Sequence, residues 1–350
     1  MKKSIVHLMS LSSEQHDLPW LKESLQAAIE LELSTLPPYL CALWSIKDTE
    51  EAYSLVRSVV LEEMLHLGLV CNMLAALEEE PILASNIPTY PGHLPGHVRP
   101  QLTVYLAGFS KDYLEKVCMQ IEYPESGPVA AAPALAARSE TYVTIGAFYD
   151  AILAAFQNLN PPLNSKNQLD GATLNGYPLY PVTTLADVEK AIKEIQEQGE
   201  GTSTSPDAVD FPGKEDEQEL AHYYKFAQIF YGKSLEQQSD NSWKYTGDPI
   251  AFPEAYPMAP VPPGGYVNPS QDVKDRLDAF NSKFSDMLEK LESAWAKGSE
   301  DDLSAGIGIM FELKEIAVAL MNIPLPDNSG VYGPDFLLAS SSGTIENEAE

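Results

Sequence analysis

Two short patterns constrain this chain more than anything else in it: Glu63-Met64-Leu65-His66 and Glu219-Leu220-Ala221-His222. Each is a Glu-x-x-His pair, and at i, i+3 spacing both side chains leave the same side of an α-helix. In both cases that side is otherwise apolar. Glu63 and His66 sit among Val59, Val60, Leu67 and Val70, while Glu219 and His222 run on towards Phe226, Ile229 and Phe230. A carboxylate buried without a partner is costly, so each must be paired, hydrogen-bonded or metal-bound. A third carboxylate has the same character. Glu32 lies on the stripe Leu25, Ile29, Leu36, Tyr39 and Leu43. Its neighbour Glu30 falls about 200° around the helix at ~100° per residue, on the polar side.

The remaining pattern is also helical. Spacings of three and four predict helices over 18–46, 49–79, 110–122, 139–158, 184–198, 215–232, 270–297 and 300–322. Pro37-Pro38 is expected to kink or break the first of these, because a proline pair removes two backbone donors. Pro-, Gly- and Asn-rich stretches separate the helices, chiefly 81–100, 160–183 and 235–268. No internal repeat or clear linker divides the chain. The expectation is an all-α four-helix bundle with long loop insertions and extra C-terminal helices, in a single domain over 1–337. The acidic tail over 338–350 is expected to be disordered.

Within such a bundle, a Glu from each of two helices and a Glu-x-x-His from each of the other two make up the ligand set of ferritin-like dimetal carboxylate proteins. The candidate metal ligands are therefore Glu32, Glu63, His66, Glu219 and His222. Oxygen and imidazole donors in this mix suit iron, two per chain, or manganese. The set lacks its second lone Glu. Helix 139–158 offers only Glu140 and Asp150 nearby, and Asp150, which shares a face with Val143 and Ala154, is taken as the candidate. The same residues admit another reading, a buried carboxylate–imidazole network that only fixes helix register.

Charge and cysteine usage narrow the function classes. Against 22 Lys and Arg stand 51 Asp and Glu, a net charge of −29. Such a surface repels phosphate backbones and anionic lipids, so neither a nucleic-acid nor a membrane partner is expected. No run approaches the ~18 apolar residues of a membrane span. Cys41, Cys71 and Cys118 form no CxxC pattern, and the start MKKSIVHLMSLSS lacks a convincing cleavage site, so a cytoplasmic setting is expected.

The segments AIELELSTLPPYLCALWSIKD and VVLEEMLHLGLVCNMLAAL resemble the ferritin-like domain of iminophenyl-pyruvate dimer synthases, found in bisindole pigment and indolocarbazole pathways. PTYPGHLPG at 88–96, TIGAFYDAI at 144–152, DVEKAIKEIQEQGEG at 187–201 and ELAHYYKFAQI at 219–229 extend the likeness over most of 18–335. The resemblance implies metal ligands at the same five positions, Glu32, Glu63, His66, Glu219 and His222. It also implies a Glu or Gln where this chain has Ala147. It points to a metal-dependent, non-haem di-iron oxidoreductase that uses O₂ to oxidise or couple a small, aromatic amino-acid-derived substrate, with a homodimer as one possible assembly. A redox-inactive metal-binding scaffold and an iron store or ferroxidase stand as alternatives. Loops 81–100 and 235–268 are expected to wall the substrate pocket.

Overall fold

A computed structural model describes residues 4–48, 50–125, 127–129, 144–201, 205–206 and 219–339. A short helix α1 (Ile5–Ser10) leads into two long ones, α2 (Leu18–Ser45) and α3 (Glu51–Ala76). A helical segment follows in three pieces: α4 (Lys111–Tyr113), a π-helical turn Leu114–Cys118, and α5 (Met119–Ile121). Then come α6 (Ile145–Leu159), α7 (Leu185–Glu200) and α8 (His222–Tyr231). The C-terminal pair is α9 (Gln271–Lys297) and α10 (Glu300–Met321). Two small antiparallel hairpins lie in stretches expected to be irregular: β1 (Thr173–Leu174) with β2 (Tyr177–Pro178), and β3 (Lys233–Gln237) with β4 (Trp243–Pro249). They leave the architecture mostly helical.

The boundaries follow from local chemistry. Asp17 caps α2 through a bond from the Trp20 amide, and Pro19 sits where its missing donor costs nothing. Thr184 and Asp187 close a reciprocal capping box on α7. Pro37 and Pro38 do not break α2, which runs unbroken to Ser45. The Ser34 carbonyl, which Pro38 cannot serve, instead accepts the buried Tyr90 hydroxyl at 2.6 Å. Tyr90 comes from the loop over 81–100, so one job of that loop is to complete the helix the prolines would otherwise open.

The core lies where α2 packs along α3, with α7 and α8 against α3, α6 against α2, and the 111–121 segment against α8. α3 carries an 18-residue window of mean hydropathy 1.5, which matches a membrane span in length and composition, contrary to the sequence expectation. In the fold, 89% of that window is buried within the protein. All three cysteines are free and buried. Of the helices expected over 139–158 and 215–232, residues 139–143 and 215–218 lie outside the described residues, as does the tail over 340–350.

Candidate metal centre

Five side-chain atoms from four segments converge in the bundle. From α2 comes Glu32 Oε2, from α3 Glu63 Oε1 and His66 Nδ1, from the end of α5 Glu122 Oε2, and from α8 His222 Nδ1. His66 Nδ1 lies 3.8 Å from Glu32 and 3.8 Å from Glu63. His222 Nδ1 lies 2.8 Å from Glu63 and 3.6 Å from Glu122. The atoms thus form two groups, Glu32–Glu63–His66 and Glu63–Glu122–His222, which share Glu63. The imidazole rings stack at 5.4 Å between centroids.

The outward atom of each of these side chains is held by another residue. Tyr149 donates to Glu32 Oε1, Tyr39 to Glu122 Oε1, and Thr35 to Glu63 Oε2 at 2.7 Å. His66 Nε2 meets Gln198 Oε1 at 2.7 Å, and His222 Nε2 meets Glu62 Oε2 at 2.8 Å. An amide oxygen or a carboxylate accepts a proton, so both imidazoles carry N–H on Nε2, and Nδ1 is the inward-facing atom that becomes a ligand when the ring is neutral. That is how outer partners set the tautomer of a metal-binding histidine.

The donor set fits a metal pair. A first-row ion holds oxygen and nitrogen ligands at ~2.0–2.2 Å, so atoms sharing one ion sit about 3–4.5 Å apart. In each group the ligand atoms all lie within 4.8 Å of one another. His222 Nδ1 is fully buried and makes no aligned hydrogen bond, despite two carboxylate oxygens beside it. The contacts of 3.6–3.8 Å fall within the spacing of atoms sharing one ion, and the 2.8 Å between His222 Nδ1 and Glu63 Oε1 falls just short of it.

Electrostatics agree. Burial, with Glu63 next to it, pushes the Glu32 carboxyl well above its usual range. Burial pulls His222 down, but Glu122, Glu62 and Glu63 outweigh it and raise this imidazole well above its ordinary value. Burial and the adjacent His222 lower His66 to about 4. Without a cation, Glu32 and His222 therefore bind protons more tightly than exposed groups do. A bound metal requires carboxylate and neutral imidazole. Loading with Mn(II) or Zn(II) is expected to release ~1–2 protons per chain, with affinity rising as pH rises. Calorimetry in buffers of different ionisation enthalpy checks this, and a heat independent of buffer would contradict it.

Two expected ligands stand outside the convergent set. Ala221 is extended and α8 begins only at His222, so Glu219 precedes the helix instead of lying one turn below His222 on its face. Glu219 Oε1 accepts from Lys225 at 3.0 Å and from Asn175 at 3.1 Å, and Oε2 accepts from Tyr177. Asp150 is exposed at the rim of a neighbouring cavity, where it accepts from Gln196 Nε2 at 3.0 Å. Ala147 is exposed too, and what α6 sends inward is Tyr149. A carboxylate that the spacing did not single out, Glu122, joins Glu63 and His222 in the second group. Glu122 is buried at the end of a segment whose π-helical turn, Leu114–Cys118, shifts the helical face, so regular spacing gave no signal for it.

Sequence reasoning also missed Glu62, one residue before Glu63. It is 1% exposed and bonds both His222 and Lys225, whose ammonium lies 2.7 Å from each Glu62 oxygen. Burial opposes ionisation of Glu62, but Lys225 and His222 hold its carboxyl far below the usual range.

A cavity of about 400 Å³ opens onto this centre, reaching Glu32, Glu63, His66 and Glu122. Its walls come from α6, α7 and residues 121–125. Neither loop expected to enclose it, 81–100 or 235–268, contributes a lining residue among those described. His222 does not line it, so the His222 side is closed by Glu62 and Lys225.

The profile of the ferritin-like family matches residues 25–231, a span that includes all five converging side chains. The chain belongs to the ferritin-like family. A crystal structure described as a ferritin-like protein from Caulobacter vibrioides shares the fold, with a TM-score of 0.60 and 24% identity over 91% of this chain and 98% of that one. No curated protein sequence matches the chain. The ferritin-like assignment establishes the architecture, and the buried Glu/His groups are side chains that could hold metal ions.

Proposed function

We propose that this ferritin-like protein is a non-haem di-iron oxidoreductase that uses O₂ to oxidise or oxidatively couple a small, apolar organic molecule. The observation that carries the reading is the shared Glu63. One carboxylate stands between two ligand groups, each with its own histidine and its own further glutamate. When bound, a reduced iron pair supplies the electrons for O₂ reduction and the oxidising power for the organic molecule. The similarity to iminophenyl-pyruvate dimer synthases supports the same class of chemistry.

The chain's own residues have definite tasks in it. Thr35, Tyr39 and Tyr149 hold the outer carboxylate oxygens, so the inner ones stay aimed without reorganising. Gln198 and Glu62 hold the imidazole N–H groups. The cavity meets the centre on its Glu32–His66–Glu122 face, which is the face left for O₂ and substrate. Leu31, Ile121, Ile145 and Ile195 line the approach and exclude water. Glu122 supplies a further carboxylate to the centre although the chain has alanine at 147, where the resemblance implies Glu or Gln.

Protein purified without chelator is expected to carry about two irons per chain. The anaerobic Fe(II) form should give a transient visible absorption band on exposure to O₂. No retained metal and no oxygen-dependent change after Fe(II) loading would overturn the proposal.

A further inference from the structure

We infer that Arg99 is a positioning residue of the metal centre: its guanidinium, reaching in from the loop over 81–100, clamps the backbone on both sides of Glu122 and so sets that carboxylate beside His222. The inference rests on the reading of the Glu/His groups as a metal pair and assigns what holds the second group in place. Glu32, Glu63 and His66 lie deep in α2 and α3, where the helix itself fixes their direction. Glu122 has no such support. It follows the last residue of α5, its amide reaches the Cys118 carbonyl at 3.3 Å, and the chain leaves the helix there. Carbonyls at a helix end have no amide of a next turn to accept from. For Gln120 the cause is in the sequence, because the residue four places on is Pro124, which has no N–H.

Arg99 fills that gap. Its Nη1 donates to the Gln120 carbonyl at 3.0 Å and its Nη2 to the Tyr123 carbonyl. One planar, permanently charged fork thus spans residues 120 and 123, with Glu122 between them. The loop is built to hold the guanidinium still. Gly92 and Val104 exchange bonds at 2.9 and 2.7 Å across its base, and the Leu102 amide turns onto the Arg99 carbonyl at 2.9 Å. Arg99 itself has φ 50°, a left-handed conformation that residues with a Cβ seldom adopt and that persists where the surroundings over-determine it. The Tyr123 ring meets the Tyr223 ring edge-on at 5.5 Å, so the residues that follow Glu122 and His222 pack on each other. With the backbone fixed, the Tyr39 hydroxyl takes Glu122 Oε1, and Oε2 stands 3.6 Å from His222 Nδ1. The same loop donates the Tyr90 hydroxyl to the carbonyl that Pro38 cannot serve in α2, so it does for Glu122 at Pro124 what it does for α2.

The test measures Zn(II) binding by calorimetry, and amide hydrogen exchange on the metal-free full chain, in Arg99→Ala, Glu122→Ala and the double variant. Arg99→Ala is expected to weaken one of the two ions by ~10–100-fold and to leave the other unchanged. Added to Glu122→Ala, it should cost no further affinity, since the carboxylate it positions is gone. A general loss of packing would instead weaken both ions or add to the effect of Glu122→Ala. In metal-free protein, exchange of the amides over 119–123 should quicken while those of α3 around Glu63 keep their rate. Arg99→Gln, which retains part of the stem and an amide donor, stands in where alanine prevents folding. The inference is overturned by unchanged exchange over 119–123, by equal weakening of both ions, or by weakening that persists in the Glu122→Ala background. A wild-type protein that binds no metal, with exchange quickened by Arg99→Ala over 119–123 alone, upholds the clamp while the di-iron reading fails. Two ions held equally tightly by wild type and Arg99→Ala do the reverse.

Discussion

Glu63→Ala is expected to abolish metal retention, whereas Glu32→Ala and Glu122→Ala should each leave about one ion per chain of the two the family pattern calls for. The asymmetry follows from geometry. Among the described residues, Glu63 is the carboxylate shared by both groups, its Oε1 at 3.8 Å from His66 and 2.8 Å from His222. Glu32 and Glu122 each belong to a single group. Elemental analysis of the three purified variants decides it, and a Glu63→Ala protein holding as much metal as Glu122→Ala would refute the shared role. Stability should move the opposite way in metal-free protein. Glu32 is buried beside Glu63 and Glu122, and its raised carboxyl marks a site that is strained without a cation. Neutralising it with Glu32→Gln is expected to stabilise the metal-free chain by about 1 kcal/mol while reducing the rise in melting temperature that metal produces. Functional sites commonly cost stability in this way.

Lys225→Met should be the most damaging single change outside the convergent set. The Lys225 ammonium is 3% exposed and lies 2.7 Å from both oxygens of Glu62, itself 1% exposed. Removing one partner of a buried pair leaves the other charge uncompensated, a loss of about 3–5 kcal/mol. Combining Lys225→Met with Glu62→Gln should recover most of that loss in urea denaturation, because no lone charge is then left in the core. The same double variant should still weaken metal binding by ~10–100-fold, since Glu62 no longer orients His222 through Nε2. If the double variant is no more stable than Lys225→Met alone, the pair is not the source of the effect. If its metal affinity is unchanged, Glu62 does not position His222.

The contrast between Glu32 and Glu219 shows what could be read before the fold was known. Glu32, Glu63 and His66 lie deep inside long helices, α2 and α3, where 100° per residue fixes the direction of each side chain. An acidic residue on an apolar stripe there has one place to go. His222 was legible for the same reason, as part of the apolar face running to Phe226 and Ile229. Glu219 stands outside the convergent groups because its expected direction needed a helix to begin before it, and the helix begins at His222. Helix starts are the least determined feature of a local pattern, since capping and tertiary contacts decide them. Asp150 stands outside them for a different reason. The missing ligand was sought on the long helix α6, while a short segment interrupted by a π-helical turn carries Glu122 to the site. Such turns recur at functional sites, and they shift the helical face in a way that regular spacing does not forecast.

By itself, then, the amino-acid sequence determined the helical class, the buried faces of α2, α3 and α8, and four of the five converging side chains. All of these depend on residues a few positions apart, and their physics is the helical period and the cost of burying charge. Only the tertiary structure decided the remainder. Tyr39 and Glu122 are 83 residues apart, His66 and Gln198 132, Glu62 and His222 160, and Glu62 and Lys225 163. Which carboxylate completes the centre, which imidazole nitrogen faces it, and which lysine balances Glu62 are settled by these distant contacts. No local pattern encodes them, because each bond is defined only once the helices have packed.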